Sequence, residues 1–143
     1  MAKQLYYEDV EVGTEVPSLE KKTSSRQLVM WAGATEDYNE IHYDKDFALG
    51  RGLPGVIIHG RLKAAFLGQL MTDWIGEHGK LKKLSASYRR MDAPGDTLVC
   101  KGKVTNKYIR DGEHCLECDL WIENAQGEKT TLGSAVVALP SRG

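Results

Sequence analysis

The chain has 143 residues, of which 41% are hydrophobic and 27% are charged, a composition that predicts one globular domain over residues 1–143 with a hydrophobic core. Nineteen Lys and Arg oppose 20 Asp and Glu, and the net charge of -1 excludes a general attraction to nucleic acid or to an anionic membrane. No segment approaches the ~20 apolar residues that cross a bilayer, and no apolar signal core is seen near the start, so we expect a cytoplasmic protein.

Short elements are predicted in the first third of the chain. They are a strand over 15–22, a helix over 26–35 and a helical turn over 44–49. Pro17 is expected to break the strand because it has no main-chain N–H. Ser24 or Ser25 is suited to cap the first helix and Asp44 the second, since short oxygen-bearing side chains accept the free N–H groups at a helix start.

The longest predicted helix runs over about residues 60–75. Its apolar residues follow the helical period only loosely and are mixed with small ones, including Ala64, Ala65 and Gly68. A helix that is apolar on nearly all sides belongs inside a domain rather than on its surface. Gly76 is expected to end it.

Strand patterns fill the rest of the chain. They cover residues 81–91, 97–107, 114–124 and 129–139, and turn sequences rich in Gly, Pro and Asp separate them. Hairpin spacing makes the sheet antiparallel. One apolar face of the second and third strands should contact the long helix, and it comprises Leu98, Cys100, Gly102, Val104, Leu116, Cys118, Leu120 and Ile122. These elements predict an α+β domain in which an antiparallel sheet wraps a long central helix.

The cysteines are Cys100, Cys115 and Cys118, an odd number that favours reduced thiols in a chain without a secretion signal. Cys115 and Cys118 have the spacing of a metal-binding or redox pair. They fall within a predicted strand, where residues three apart face opposite sides. No metal is therefore expected there.

Two motifs lie between the first helix and the long one. DYNEIH, over residues 37–42, offers a carboxylate and an imidazole close enough to share one loop, which suits acid/base chemistry on a single water. VIIHG, over residues 56–60, ends in a glycine where the long helix begins, and a helix N-terminus presents free N–H groups to developing negative charge. Together they indicate addition or removal of water beside a carbonyl group.

The two motifs resemble those of the MaoC-like family of (R)-specific enoyl hydratases and 3-hydroxyacyl dehydratases. The family's hydratase motif runs roughly Gly-Asp-x-Asn-Pro-x-His, and Asp37, Asn39 and His42 match it in register. Residues 55–60 resemble the family's entry to its central helix, and residues 89–96 its turn ending in Pro-Gly-Asp. The resemblance covers nearly the whole chain and implies the hot-dog fold.

The chain departs from the family's pattern at three positions. Glu36 replaces the usual glycine, Glu40 replaces the proline, and Arg61 stands where a methionine commonly follows the helix-opening glycine. None of the three removes a catalytic group. The two glutamates add negative charge beside Asp37 and His42, which tends to favour a protonated imidazole.

The resemblance implies roles for four residues. Asp37 and His42 would hold one water, with Asp37 as base and His42 as acid or shared base. Asn39 would keep the carboxylate or the water in place, and the main-chain N–H of Gly60 would meet the thioester oxygen. His59 is expected to order the turn before the helix rather than to react. The reaction needs neither a metal nor a redox cofactor, and none is predicted.

The predicted reaction is the reversible hydration of trans-2-enoyl thioesters to (R)-3-hydroxyacyl thioesters. The carrier is expected to be coenzyme A or an acyl carrier protein. The lysines within residues 80–83 and the arginines at 89–90 are expected to form a solvated edge, and contact with the carrier's phosphates or acidic surface is the alternative. An exposed sheet edge favours a homodimer or higher oligomer, or a related hot-dog subunit as partner. Neither nucleic acid nor a membrane is expected as a partner. The alternatives are a non-catalytic acyl-thioester-binding subunit of a heteromeric dehydratase and a hot-dog thioesterase.

Overall fold

The structure is a computed structural model that describes residues 3–143. The helices are α1 (Ser25–Thr35), α2 (Lys45–Gly50) and α3 (Gly60–Ile75), with 3-10 turns at Tyr7–Asp9 and Glu40–His42. The strands are β1 (Glu15–Lys22), β2 (Lys80–Tyr88), β3 (Thr97–Arg110), β4 (Glu113–Glu123) and β5 (Lys129–Leu139). The predicted order of elements is confirmed.

Within residues 3–143 the strands form one five-stranded sheet in the order β1-β3-β4-β5-β2, and every neighbouring pair is antiparallel. α3 lies against the inner face of this sheet and contacts all five strands. The predicted apolar face of β3 and β4 is buried against it. This is the predicted α+β hot-dog arrangement, in which the sheet wraps a long central helix.

The starts of the short helices follow the predicted caps. The Ser24 hydroxyl accepts a hydrogen bond from the Gln27 N–H at 3.2 Å, and the Asp44 carboxylate accepts one from the Phe47 N–H at 3.0 Å. Each cap satisfies one main-chain donor that the helix itself leaves free. α3 differs, because its N-cap residue His59 makes no side-chain capping bond.

Two features of the strands differ from the prediction, in addition to β3, which runs to Arg110 rather than to residue 107. Pro17 does not break β1, because β1 is an edge strand whose pairing with β3 shifts register between Val16 and Leu19. An edge strand with a local irregularity tolerates a residue that lacks an N–H. β2 ends at Tyr88 rather than near residue 91, since the main chain then turns so that two successive N–H groups donate to the Thr130 carbonyl.

All three cysteines are free and buried. Burial raises the pKa of the Cys100 and Cys118 thiols to about 12, so these groups stay protonated and unreactive at neutral pH. Among residues 3–143, no helix is both long enough and apolar enough to span a membrane.

Candidate active site

The two predicted motifs meet in space through a pair of hydrogen bonds. The Ile57 N–H donates to the Ile41 carbonyl at 3.1 Å, and His42 Nδ1 lies 2.8 Å from the Ile57 carbonyl oxygen. The first bond joins the main chain of one motif to the main chain of the other. The second bond holds the His42 imidazole against the segment that leads into α3. The DYNEIH loop and the VIIHG segment are thereby one structural unit.

The bond to Ile57 fixes which nitrogen of His42 takes part in chemistry. A carbonyl oxygen only accepts, so Nδ1 must carry the hydrogen in this contact. In the neutral ring Nε2 then has a free lone pair. The side chain is 8% exposed, so Nε2 is the one basic atom of His42 that remains available to a water or substrate.

His59 packs directly against His42. The two rings are stacked, with centroids 3.8 Å apart and planes inclined by 21°. His59 is completely buried. Burial, and next the like charge of His42, lower the pKa of His59 below its ordinary 6.5, while the Asp37 main chain and carboxylate act weakly in the opposite direction. His59 is therefore a neutral imidazole at physiological pH.

Asp37 completes a cluster with these two histidines. One ligand atom from each of Asp37, His42 and His59 lies within 4.8 Å of the others. Two imidazoles and a carboxylate are residue types that bind transition metals, and they are equally groups that hold a water by hydrogen bonds.

Asp37 is positioned by the end of α1 and Asn39 by the turn that follows. Glu36, the C-cap of α1, has φ 59° and ψ 23°, the left-handed conformation that favours glycine. That conformation explains why a glycine is usual at this place in the motif. The Asn39 side chain accepts the Ile41 N–H at 3.3 Å. Asn39 thus orders the loop by binding a main-chain N–H. This is the hydrogen bond that its side chain makes within residues 3–143.

Gly60 opens α3 beside this cluster. The Gly60 and Arg61 N–H groups have no acceptor among residues 3–143, whereas the next N–H, that of Leu62, donates to the His59 carbonyl at 3.1 Å. The Tyr88 ring covers the Gly60 Cα so closely that a Cβ there would lie 2.9 Å from a ring carbon. A Cβ at this position would have to displace the Tyr88 ring, and the free N–H groups form a small site for negative charge.

A buried ion pair connects the first turn of α3 to the segment that follows β2. Lys63 Nζ lies 3.0 Å from Asp92 Oδ2 and donates to the Arg90 carbonyl at 3.0 Å. Both side chains are 2% exposed. The Asp92 carbonyl also accepts the Ile58 N–H at 2.8 Å, so the pair fixes the 89–92 segment against the residues that carry His59 and Gly60.

Reasoning from the sequence missed three of these residues and gave His59 only a structural role. Lys63 had a visible signal, since it is a charged residue within a helix that is otherwise apolar on most sides. Asp92 and Tyr88 had none, because their contacts join elements 28 or more residues apart. The contact of His59 with His42 depends on how the two motifs pack.

Comparison with known proteins identifies the family. Residues 9–124 match the family model described as MaoC like domain. The chain is 37% identical over 111 residues to the fatty acid synthase subunit beta of Aspergillus oryzae, covering 76% of this chain and 5% of that much longer one. It is 26% identical over 144 residues to the (R)-specific enoyl-CoA hydratase of Rhodospirillum rubrum, covering 96% and 94%. The solved structure of the (R)-hydratase from A. caviae involved in PHA biosynthesis superimposes with a TM-score of 0.80 at 27% identity, covering 92% and 98%.

Proposed function

Because the chain belongs to the MaoC-like domain family, we propose that it is a hydro-lyase that reversibly hydrates trans-2-enoyl thioesters to (R)-3-hydroxyacyl thioesters. The relatives named as (R)-specific hydratases match over almost their whole length. The observation that carries the proposal is the cluster of Asp37 and His42 beside the free N–H groups at the start of α3. A thioesterase or a non-catalytic subunit has less need of this combination.

The proposed reaction adds the oxygen of water to C3 of the enoyl chain and a proton to C2. Asp37 and Nε2 of His42 hold the water, and one of them removes a proton as the C3–O bond forms. The C2–C3 double-bond electrons move toward the thioester oxygen, where the Gly60 N–H donates to the developing charge. Return of a proton to C2 restores the thioester and leaves the enzyme unchanged.

The Gly60 N–H is expected to be the main oxyanion donor. In other enzymes one such donor lowers the barrier by roughly 2.7–4 kcal/mol. The buried Lys63–Asp92 pair, both groups of which are 2% exposed, supports the first turn of α3 and so the direction of this N–H. Asn39 contributes by ordering the loop that carries Asp37.

The proposal also covers the carrier, the partner and the location. A coenzyme A thioester is the substrate class that the names of the matching hydratases give, and an acyl carrier protein thioester is the alternative carrier. β2 forms one edge of the sheet, with β5 as its neighbour, and pairing with a second copy would cover that edge. The proposed enzyme is a homodimer or higher oligomer, or pairs with a related hot-dog subunit, and its proposed location is the cytoplasm.

Loss of ultraviolet absorbance from the conjugated enoyl thioester tests the reaction directly. Purified protein mixed with crotonyl-CoA and longer homologues should remove that absorbance without releasing free thiol. Asp37→Asn and His42→Ala should each lower kcat by about 10²–10⁴-fold, the usual contribution of a positioned acid or base. Asp46→Asn and His78→Ala are matched controls on exposed side chains and should leave kcat unchanged.

The outcomes separate the candidate functions. Release of thiol in step with substrate loss would identify a thioesterase. Acyl-CoA binding without any change in absorbance, at every chain length, would identify a non-catalytic subunit. Wild-type rates in the Asp37→Asn/His42→Ala double variant would contradict the site even if hydration occurs. The same assay with an enoyl acyl carrier protein decides the carrier.

A further inference from the structure

One unexplained feature of the described residues, and the one that lies at the candidate site, is the buried His59 ring. Neither of its nitrogens makes a hydrogen bond of good geometry within residues 3–143, and the Asp37 main chain acts on the His59 pKa only as a weak acceptor, although the residue is completely buried. A buried polar group without a partner is costly and is uncommon in folded proteins. If His59 served only as a flat surface beneath His42, phenylalanine would stack equally well and would carry no unpaired nitrogen.

The spacing of the cluster fits a water molecule. Two partners that each lie about 2.8 Å from a water oxygen, at the tetrahedral angle, are about 4.6 Å apart. The atoms of Asp37, His42 and His59 lie within 4.8 Å of one another. All three side chains can therefore reach one water oxygen.

We propose that His59 is a third ligand of the reacting water and donates an N–H to it. This assignment rests on the proposed hydration. A water oxygen has two hydrogens and two lone pairs. Asp37 and His42 Nε2 accept the two hydrogens, since a carboxylate only accepts and Nδ1 of His42 already donates to Ile57. His59 donates to one lone pair, and the other lone pair is left to attack C3.

The proton state of His59 follows from its surroundings. His42 is stacked on one face, and the nearest carboxylate in the cluster is that of Asp37. A neutral imidazole has one N–H and one lone pair, so His59 supplies a donor without adding a second positive charge beside His42. A lysine or arginine at this place would supply the donor but would repel a protonated His42.

The matched variants His59→Phe, His59→Asn and His59→Gln separate stacking from hydrogen bonding. Phenylalanine keeps an aromatic face against His42 and removes the donor, whereas the amides lose the ring and keep an N–H near the position of Nδ1 or Nε2. Loss of one hydrogen bond to the water should lower kcat at least tenfold in His59→Phe, with KM little changed. One of the amides should recover part of that loss. His78→Phe, on an exposed histidine, is the control.

A high-resolution crystal structure of the full chain provides the second readout. We expect density for a water within hydrogen-bond distance of Asp37, His42 and His59 together, and loss of that water in His59→Phe with the His42 ring in place. Wild-type kcat in His59→Phe would overturn the assignment, as would a structure in which the water contacts only Asp37 and His42. If the wild-type protein hydrates no enoyl thioester, the proposed function fails, and the position of this water still decides the role of His59.

Discussion

Lys63→Met tests whether the buried ion pair is needed to hold the start of α3. Methionine has nearly the length of lysine, so the change removes the charge and leaves little cavity. The Asp92 carboxylate then remains buried, at 2% side-chain exposure, without its counter-charge. Removing one partner of a buried ion pair typically costs about 3–5 kcal/mol, because the other charge is left without compensation.

For a chain of this size each kcal/mol lowers Tm by about 2–4 °C, so the expected fall in Tm is roughly 6–20 °C. The double variant Lys63→Met/Asp92→Asn carries no unpaired charge and should recover more than half of the lost stability. The exposed pair Lys101–Glu123, with N···O 2.9 Å and side chains 40% and 23% exposed, is the control. Lys101→Met should cost only about 0.2–1 kcal/mol.

Urea denaturation followed by circular dichroism gives the free energy of unfolding for each variant, and the enoyl thioester assay gives kcat. Since Asp92 also accepts the Ile58 N–H, the single variant should lose activity at temperatures where it remains folded. A Lys63→Met protein as stable as wild type would refute the reasoning. So would a double variant that is no more stable than the single one.

Three further predictions concern residues around the site. Gly60→Ala should lower kcat at least tenfold, because its Cβ would lie 2.9 Å from the Tyr88 ring. The double variant Gly60→Ala/Tyr88→Ala should recover part of the rate, and equal rates in the single and double variants would contradict the steric explanation. Burial lowers the pKa of His59 below its ordinary 6.5, so as pH falls the unfolded chain binds a proton at this residue before the folded chain does. The free energy of unfolding should therefore decline below about pH 6.5. Urea titrations at pH 7.5 and 5.5 should show a smaller decline for His59→Phe than for the wild-type protein. Glu36→Gly should raise the free energy of unfolding by about 1 kcal/mol, because Glu36 has φ 59° and a side chain is strained there; a lower Tm than wild type would count against this.

The sequence alone was sufficient for the elements and for their order. Hydrophobic periodicity and turn residues predicted the long helix and four strands close to their observed limits, because both signals act over a few residues and depend little on the rest of the fold. The caps Ser24 and Asp44 were predictable for the same reason. The continuation of β1 through Pro17 was not, because it depends on β1 being an edge strand.

The sequence also determined which residues match the hydratase motifs. Asp37, Asn39, His42 and Gly60 lie in two short segments, and a match within a short segment can be recognised without the fold. Only the tertiary structure decided what surrounds them. The stack of His42 on His59 joins residues 17 positions apart, and the Lys63–Asp92 pair joins residues 29 apart. Such contacts are set by how a helix and a sheet pack, and no local pattern encodes whether a charged or polar side chain at a given position will face solvent or another side chain.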